Sequence, residues 1–222
     1  MRGSTRTGGA TPRSGASASP AGGRRPAAAA AHRIRIIGGT WKRTPLPVPD
    51  LPGLRPTPDR VRETLFNWLG PVTGLRCLDL FAGTGALGLE AASRGAAEVW
   101  LVEPEPRAQR ALRGTLDKLS ADQVTLLASD ALAALARAAR EGRRFDLVLL
   151  DPPFGEGWLE RVLPRLAPLL ADQAALYIET GEPLSDAQLG LLQDPGFRIT
   201  RQGRAGQVFY HLVLRQTSQE SA

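Results

Sequence analysis

Short apolar runs alternate with helical stretches through the middle of this chain, and no other feature restricts its fold as tightly. Cys77–Phe81, Val99–Val102, Val124–Leu127, Phe145–Leu150 and Ala174–Ile178 are almost continuously apolar, as parallel strands covered on both faces are. The stretches between them, 84–94, 105–119, 130–141 and 156–170, have helical spacing. Parallel neighbours need such crossovers, and the crossovers are right-handed. Two last runs, 197–202 and 207–215, are separated by Gly203 and Gly206 and read as a hairpin. The fold class is therefore α/β, a doubly wound sheet closed by an antiparallel C-terminal hairpin.

Residues 1–31 consist of Arg, Gly, Ser, Pro and Ala with almost no large apolar side chain. Burial cannot offset the entropy of ordering such a stretch, so it is expected to be a disordered basic tail. Its Arg- and Ser-rich, acid-free character also resembles an organellar transit peptide. Residues 32–217 make up the one expected domain, with 218–222 a disordered end. Within it, 32–56 is a hairpin-like, proline-rich segment: Arg33–Ile37 is a short β-type run stopped by Gly38-Gly39, and Pro45 to Pro58 is too broken for regular structure. Thr57 then reads as a helix N-cap and Pro58 as the first helical residue, with Val61, Leu65 and Trp68 on one apolar face.

The net charge of +6 comes entirely from residues 1–40, which hold seven arginines and no acid, against 21 basic and 22 acidic residues in the rest. A neutral body with a basic arm suits a polyanionic partner through phosphate contacts that weaken with salt; a merely solvated tail is the alternative. Cys77 is the only cysteine, which excludes an internal disulfide or a cysteine-ligated metal cluster and fits a reducing, cytoplasmic location. No run approaches the ~18 apolar residues of a membrane helix, so no membrane partner is expected.

The first long strand leads straight into Asp79-Leu80-Phe81-Ala82-Gly83-Thr84-Gly85-Ala86-Leu87-Gly88. Gly83 and Gly85 allow a sharp turn and a close approach to a ligand, with a helix N-terminus just beyond. Glu103, at the end of the next strand, suits the hydroxyls of a ribose. The same glycines satisfy a nicotinamide fingerprint, which alone is weak. Asp79 argues otherwise, because a strand carboxylate there would repel a pyrophosphate and hold the cationic methionine moiety of S-adenosylmethionine. Asp130, after the third strand, is placed either to accept from the adenine amine or to cap the following helix.

The fourth strand ends in Asp151-Pro152-Pro153-Phe154. Two prolines fix the chain and remove two backbone donors, leaving a loop that presents acceptors. An exocyclic base nitrogen is a poor nucleophile because its lone pair is drawn into the ring. Acceptance of both its hydrogens, by the Asp151 carboxylate and the Pro152 carbonyl, favours a pyramidal, nucleophilic geometry, while Phe154 offers a flat face to an extruded base. The methyl group arrives as a sulfonium, so no metal is needed.

Asp-Pro-Pro-aromatic after a glycine-rich first loop resembles the class I amino-methyltransferases. Arg33-Ile34-Arg35-Ile36-Ile37-Gly38-Gly39 and Leu54-Arg55-Pro56-Thr57-Pro58-Asp59-Arg60-Val61-Arg62-Glu63-Thr64-Leu65-Phe66-Asn67-Trp68 are similar to the RsmD family, bacterial 16S rRNA guanine-N2 methyltransferases. The resemblance covers roughly residues 33 to 215. It implies a Rossmann-like, seven-stranded class I sheet with helices on both faces and a cofactor site including Asp79, Phe81, Gly83, Gly85, Glu103 and Asp130. It also implies a catalytic loop Asp151–Phe154, S-adenosylmethionine as cofactor, and 16S rRNA or an assembling 30S subunit as partner of a monomeric enzyme. Arg33, Arg35, Trp41, Lys42, Arg43, Arg55, Arg60 and Arg62 are the candidate RNA contacts. His32, His211, Cys77, Trp100 and Trp158 read as solvated or packing residues. Three other functions stay open: adenine-N6 methylation of DNA or RNA, nicotinamide-dependent oxidoreduction, and RNA binding without catalysis.

Overall fold

The structure, a computed structural model, describes residues 34–51 and 57–216. The expected tail 1–31, His32, the candidates Arg33 and Arg55, and the stretch 218–222 lie outside the described residues. The elements run β1 (Ile34–Arg35), β2 (Pro45–Leu46), α1 (Asp59–Leu69), β3 (Arg76–Asp79), α2 (Ala86–Ser93), β4 (Glu98–Val102), α3 (Pro106–Leu119), β5 (Val124–Leu127), α4 (Ala131–Arg140), β6 (Phe145–Leu150), α5 (Trp158–Leu166), β7 (Leu170–Thr180), α6 (Asp186–Gly190), β8 (Phe197–Ala205) and β9 (Val208–Arg215). Seven strands form one sheet in the order β5-β4-β3-β6-β7-β9-β8. It is parallel from β5 to β7, and β9 runs antiparallel to both its neighbours. Alternate strand residues feed two apolar layers. Leu78, Trp100, Val148 and Leu176 pack with α4, α5 and α6, whereas Cys77, Leu101, Leu149 and Tyr177 pack with α1, α2 and α3.

The periodic elements lie where the sequence placed them, and the departures have local causes. The helix expected at 156–170 ends at Leu166 and gives way to a 3-10 turn, Ala167–Leu169, because Pro168 has no N–H with which to continue the α-helical ladder. Helix α6 has five residues, too few for periodicity, and is instead fixed by a capping box between Ser185 and Gln188. Gly203 is not the turn of the hairpin but part of β8. A Cβ there would stand 2.3 Å from the Tyr210 ring, so the glycine makes room for that ring. Gly206, at φ +62°, makes the turn. Part of the segment read as too broken pairs after all, Pro45–Leu46 with Ile34–Arg35. Strand β8 is an edge of the sheet, carrying exposed Arg198, Arg201 and Arg204 and an irregular register between Ile199 and Arg201.

One helix residue ties the N-terminal strap to this core. Glu90 of α2, fully buried, accepts from the backbone amides of Ile37 (2.7 Å) and Gly38 (2.8 Å), and pairs with Arg94 (2.7 Å) and Arg62 (3.5 Å). The strap also donates from Thr40 N to the Ser93 carbonyl at 2.8 Å. Gly39 must be glycine: its φ is +74°, and a Cβ would lie 1.8 Å from that carbonyl oxygen. Arg62 corrects an expectation. It was a candidate RNA contact, but it is fully buried. Its guanidinium binds Asp59 at 2.6 Å, the Arg35 carbonyl at 2.8 Å and the Thr57 carbonyl at 3.3 Å. A guanidinium offers five donors in a fixed fork, so one side chain can knit three segments. Removing one member of such a buried cluster strands its partners. Glu90→Ala is expected to cost about 3–5 kcal/mol, read as a lower urea midpoint at unchanged slope; a loss below 1 kcal/mol would mean that the strap is held by packing alone.

Candidate functional site

Four neighbouring strands each deliver an acid to the same edge of the sheet. Asp79 is the last residue of β3, Glu103 follows β4, Asp151 follows β6, and Glu179 is the penultimate residue of β7. The crossovers diverge between β3 and β6, where an open α/β sheet leaves a crevice outside its carboxyl ends. The expected cofactor and catalytic residues meet there.

On the β3–β4 side the acids organise the glycine loop. Asp79 Oδ2 accepts from Gly88 N at 2.9 Å, so the strand carboxylate fastens the first turns of α2. Gly88 has to be small: a Cβ would stand 2.3 Å from Leu101 and 3.0 Å from Asp79 Oδ2. Gly83 and Gly85 have φ of 53° and 76°, as expected of the turn. Glu103 Oε2 accepts from Gly83 N at 2.8 Å and Oε1 from Glu105 N at 2.7 Å; each oxygen keeps a further lone pair. Phe81, half-buried, meets Trp158 edge-on at 5.4 Å, linking this loop to the helix after Asp151–Phe154. Asp130 caps α4, its Oδ1 accepting from Ala133 N at 2.9 Å, the second of its two expected roles.

Asp79 Oδ1 is enclosed and has no hydrogen-bond partner, the only such side-chain atom among the described residues. An orphaned buried acceptor costs about 1–3 kcal/mol. Burial, and then the charges of Glu103 and Glu179, push the Asp79 carboxyl up to about 7, against the opposing pull of the Gly88 and Phe81 amides. The site is built for a donor, preferably a cation, that none of the described residues provides.

On the β6–β7 side the acids share a hydroxyl. Thr57 Oγ1 lies 2.9 Å from Glu179 Oε1 and 3.3 Å from Asp151 Oδ2, and Tyr177 donates its hydroxyl to Glu179 Oε1 at 2.8 Å. Thr57 was read as a helix cap. Instead Pro58 occupies the cap position, no side chain caps α1, and the buried threonine turns into the site. Burial raises the Asp151 carboxyl well above the usual carboxylate range, reinforced by Glu179 and Asp79. Glu179 is also raised by burial, but the Tyr177 and Thr57 donors pull it back towards ionisation. Phe154, 44% exposed, is the only exposed large apolar side chain among the described residues. It lies with Pro152, Pro153, Trp158, Glu179 and Gln188 along a cleft of about 830 Å³.

Glu179, Tyr177 and Thr57 are absent from the residues expected for this site. Glu179 had a readable signal, since a lone acid closing an apolar strand run is what marked Asp79 and Asp151. Among the candidate RNA contacts, Arg35, Lys42, Arg43 and Arg60 are exposed and Trp41 is half-buried, with Arg35 paired to Asp59 at 3.3 Å. His211 is structural as expected, buried between the Ile178 carbonyl and the Leu184 amide. A second cavity of about 560 Å³ involves Leu189, Asp194, Phe197 and Arg198. Through the pairing of Phe197 with Arg215, and of Leu214 with Ala175, it falls towards the opposite end of the parallel strands.

A seven-stranded sheet of this order, with acids at the strand exits around a glycine loop, is the class I methyltransferase fold. Precorrin-6y C5,15-methyltransferase from Geobacter metallireducens GS-15 shares it with a TM-score of 0.58 at 17% identity, over 78% of this chain and 93% of that one, a likeness of fold alone. Residues 34–214 match the family described as "Conserved hypothetical protein 95". "Ribosomal RNA small subunit methyltransferase D" of Escherichia coli (strain K12) is 46% identical over 193 residues, 85% of this chain and 93% of that protein. The structure of yhhF from Escherichia coli superposes with a TM-score of 0.70 at 43% identity, over 83% of this chain and 99% of that one. The chain belongs to the ribosomal RNA small subunit methyltransferase D family.

Asp79 gives the site a pH signature. Its carboxyl rises from an ordinary 3.8 to about 7 on folding, so between those values the folded protein keeps a proton that the unfolded chain has lost. The stability this contributes is complete below the unfolded pKa and is gone above about pH 7. Asp79→Asn, neutral throughout, should therefore gain stability relative to wild type as pH rises from 5 to 8, measured by urea unfolding at both. An equal difference at the two pH values would mean that Asp79 titrates as an ordinary surface acid.

Proposed function

We propose that this protein methylates the exocyclic N2 of a guanine in 16S rRNA of the small ribosomal subunit, using S-adenosylmethionine. The observation that carries the reading is the Asp151–Phe154 loop: an acceptor pair on a rigid strand exit, beside an exposed aromatic face at the mouth of a cleft. The names of the relatives supply the class of RNA.

The residues present fit the cofactor. Asp79 Oδ1 lacks a donor, which an α-ammonium would provide, and Glu103 has lone pairs left for ribose hydroxyls. A pyrophosphate would instead meet the Asp79 charge, which disfavours the nicotinamide alternative. S-adenosylmethionine, when bound, supplies an electrophilic methyl group. The protein's own task is to make the base nitrogen attack it. Phe154 stacks the extruded ring, worth about 1–3 kcal/mol. Asp151 and the Pro152 carbonyl accept the two amine hydrogens, withdrawing the nitrogen lone pair from conjugation. As the nitrogen becomes tetrahedral and positive, its surplus proton passes to Asp151, which its raised pKa makes a better proton acceptor. Arg35, Lys42, Arg43 and Arg60, with Trp41, are proposed to hold RNA phosphates beside the cleft.

Asp151 contributes most where charge develops, so Asp151→Ala should slow single-turnover methyl transfer about 100-fold, on the order of 3 kcal/mol. The same variant should keep the rise in Tm that S-adenosylhomocysteine, but not NAD, produces in the wild-type protein. The elevated Asp151 pKa adds a sign: at saturating cofactor the rate should climb with pH as this carboxyl ionises, and Asp151→Asn should flatten that limb. Transfer by Asp151→Ala at the wild-type rate would reduce the loop to a structural turn.

A further inference from the structure

Glu179 lies beside the acceptor pair and has no place in the chemistry above. The residue is 3% exposed, yet it lines the cleft together with Pro152 and Phe154. Oε1 is fully engaged by Thr57 and Tyr177. Among the described residues nothing bonds Oε2. Two hydroxyl donors on one oxygen hold the carboxylate in a single rotamer and favour its ionised form, and leave the second oxygen as a fixed acceptor. Asp151 Oδ2 and Glu179 Oε1 both lie within hydrogen-bond reach of the Thr57 hydroxyl, at 3.3 and 2.9 Å, so the two carboxyl groups are neighbours in the site.

We propose that Glu179 is the residue that selects guanine, its Oε2 accepting the ring N1–H while Asp151 accepts the neighbouring amine hydrogen. This rests on the N2 reading above. Guanine places N1–H and N2–H next to each other on one edge, a donor–donor pair that two adjacent carboxylates match. In adenine the atom beside the exocyclic amine is N1, a bare acceptor, and its lone pair would confront the Glu179 charge. A buried group set to receive a hydrogen bond rejects a substrate lacking the donor far more strongly than an apolar pocket rejects a change of size. The cluster thus supplies a physical reason for guanine over adenine within one amine-methylating framework. The titratable groups facing Glu179 are Asp151 and Asp79 across the site, Tyr177 on its own strand and Tyr210, paired directly opposite it on β9.

2-Aminopurine tests this, because it keeps the 2-amine but has no hydrogen on N1. RNA carrying guanine or 2-aminopurine at the methylated position would be compared by kcat/KM. Wild-type protein should prefer guanine by roughly 100-fold or more. Glu179→Gln keeps the side-chain shape and can turn an amide N–H to the cleft, so it should lose activity on guanine, gain on 2-aminopurine, and narrow the ratio at least tenfold. Tyr177→Phe, which frees Oε1, should narrow it by a smaller factor and serves if Glu179→Gln folds poorly. A purely supporting role would slow both substrates equally; an unchanged ratio in both variants overturns the proposal while leaving guanine-N2 methylation intact. Wild-type protein that left guanine unmethylated would remove that underlying reading and this proposal with it.

Discussion

A carboxylate that touches no reacting atom holds this molecule in register. Glu90 collects two backbone amides of the N-terminal strap and the guanidiniums of Arg62 and Arg94 in a buried position. Arg62 in turn grips the carbonyl of Thr57, and the Thr57 hydroxyl stands between Asp151 and Glu179. A chain of direct contacts therefore runs from the far side of α2 to the centre of the cleft. Buried ion pairs seldom add net stability over apolar packing of equal volume; their better-attested use is to fix one arrangement. Here the arrangement matters because α1 carries no side-chain cap at its start, so Thr57, two residues before it, is free to serve the site.

The cost of the design is concentrated in acids that repel one another. Asp79, Asp151 and Glu179 all have raised pKa values, with burial as the first cause in each. The protein tolerates this with backbone amides at Asp79 and with hydroxyls at Glu179. Asp79 Oδ1 is left with nothing. A site in this state gains from any ligand that brings donors or positive charge, which is the form in which binding energy is most readily turned into positioning.

Much of this was legible in the sequence. The parallel strands, the helices between them and the closing hairpin follow from continuous apolar runs alternating with helical spacing, and Asp79, Gly83, Gly85, Glu103 and Asp151 gather at one sheet edge as their places at strand ends required. The failures share a cause. Thr57 and Arg62 were read from local chemistry, a cap before a helix and a cation in a basic cluster, whereas their roles are set by residues far along the chain: Thr57 by Glu179, Arg62 by Glu90. Gly203 was read as a turn because a glycine between two strands usually is one; the ring of Tyr210, paired opposite it in β9, decides otherwise. Glu179 was legible in principle as a fourth strand-exit acid, but unlike Asp79 and Asp151 it is followed by neither a glycine-rich loop nor a proline pair.

The outer strand of the hairpin has a bearing on how the protein behaves in company. Among the described residues β8 leaves one row of peptide groups without a neighbouring strand, an invitation to another extended chain, including a nascent or unfolded copy. Three exposed arginines would face their own kind in a like pairing, and the break in register at Ile199–Arg201 spoils the straight ladder that an incoming strand needs. The hairpin that closes the sheet thereby also guards it against growing.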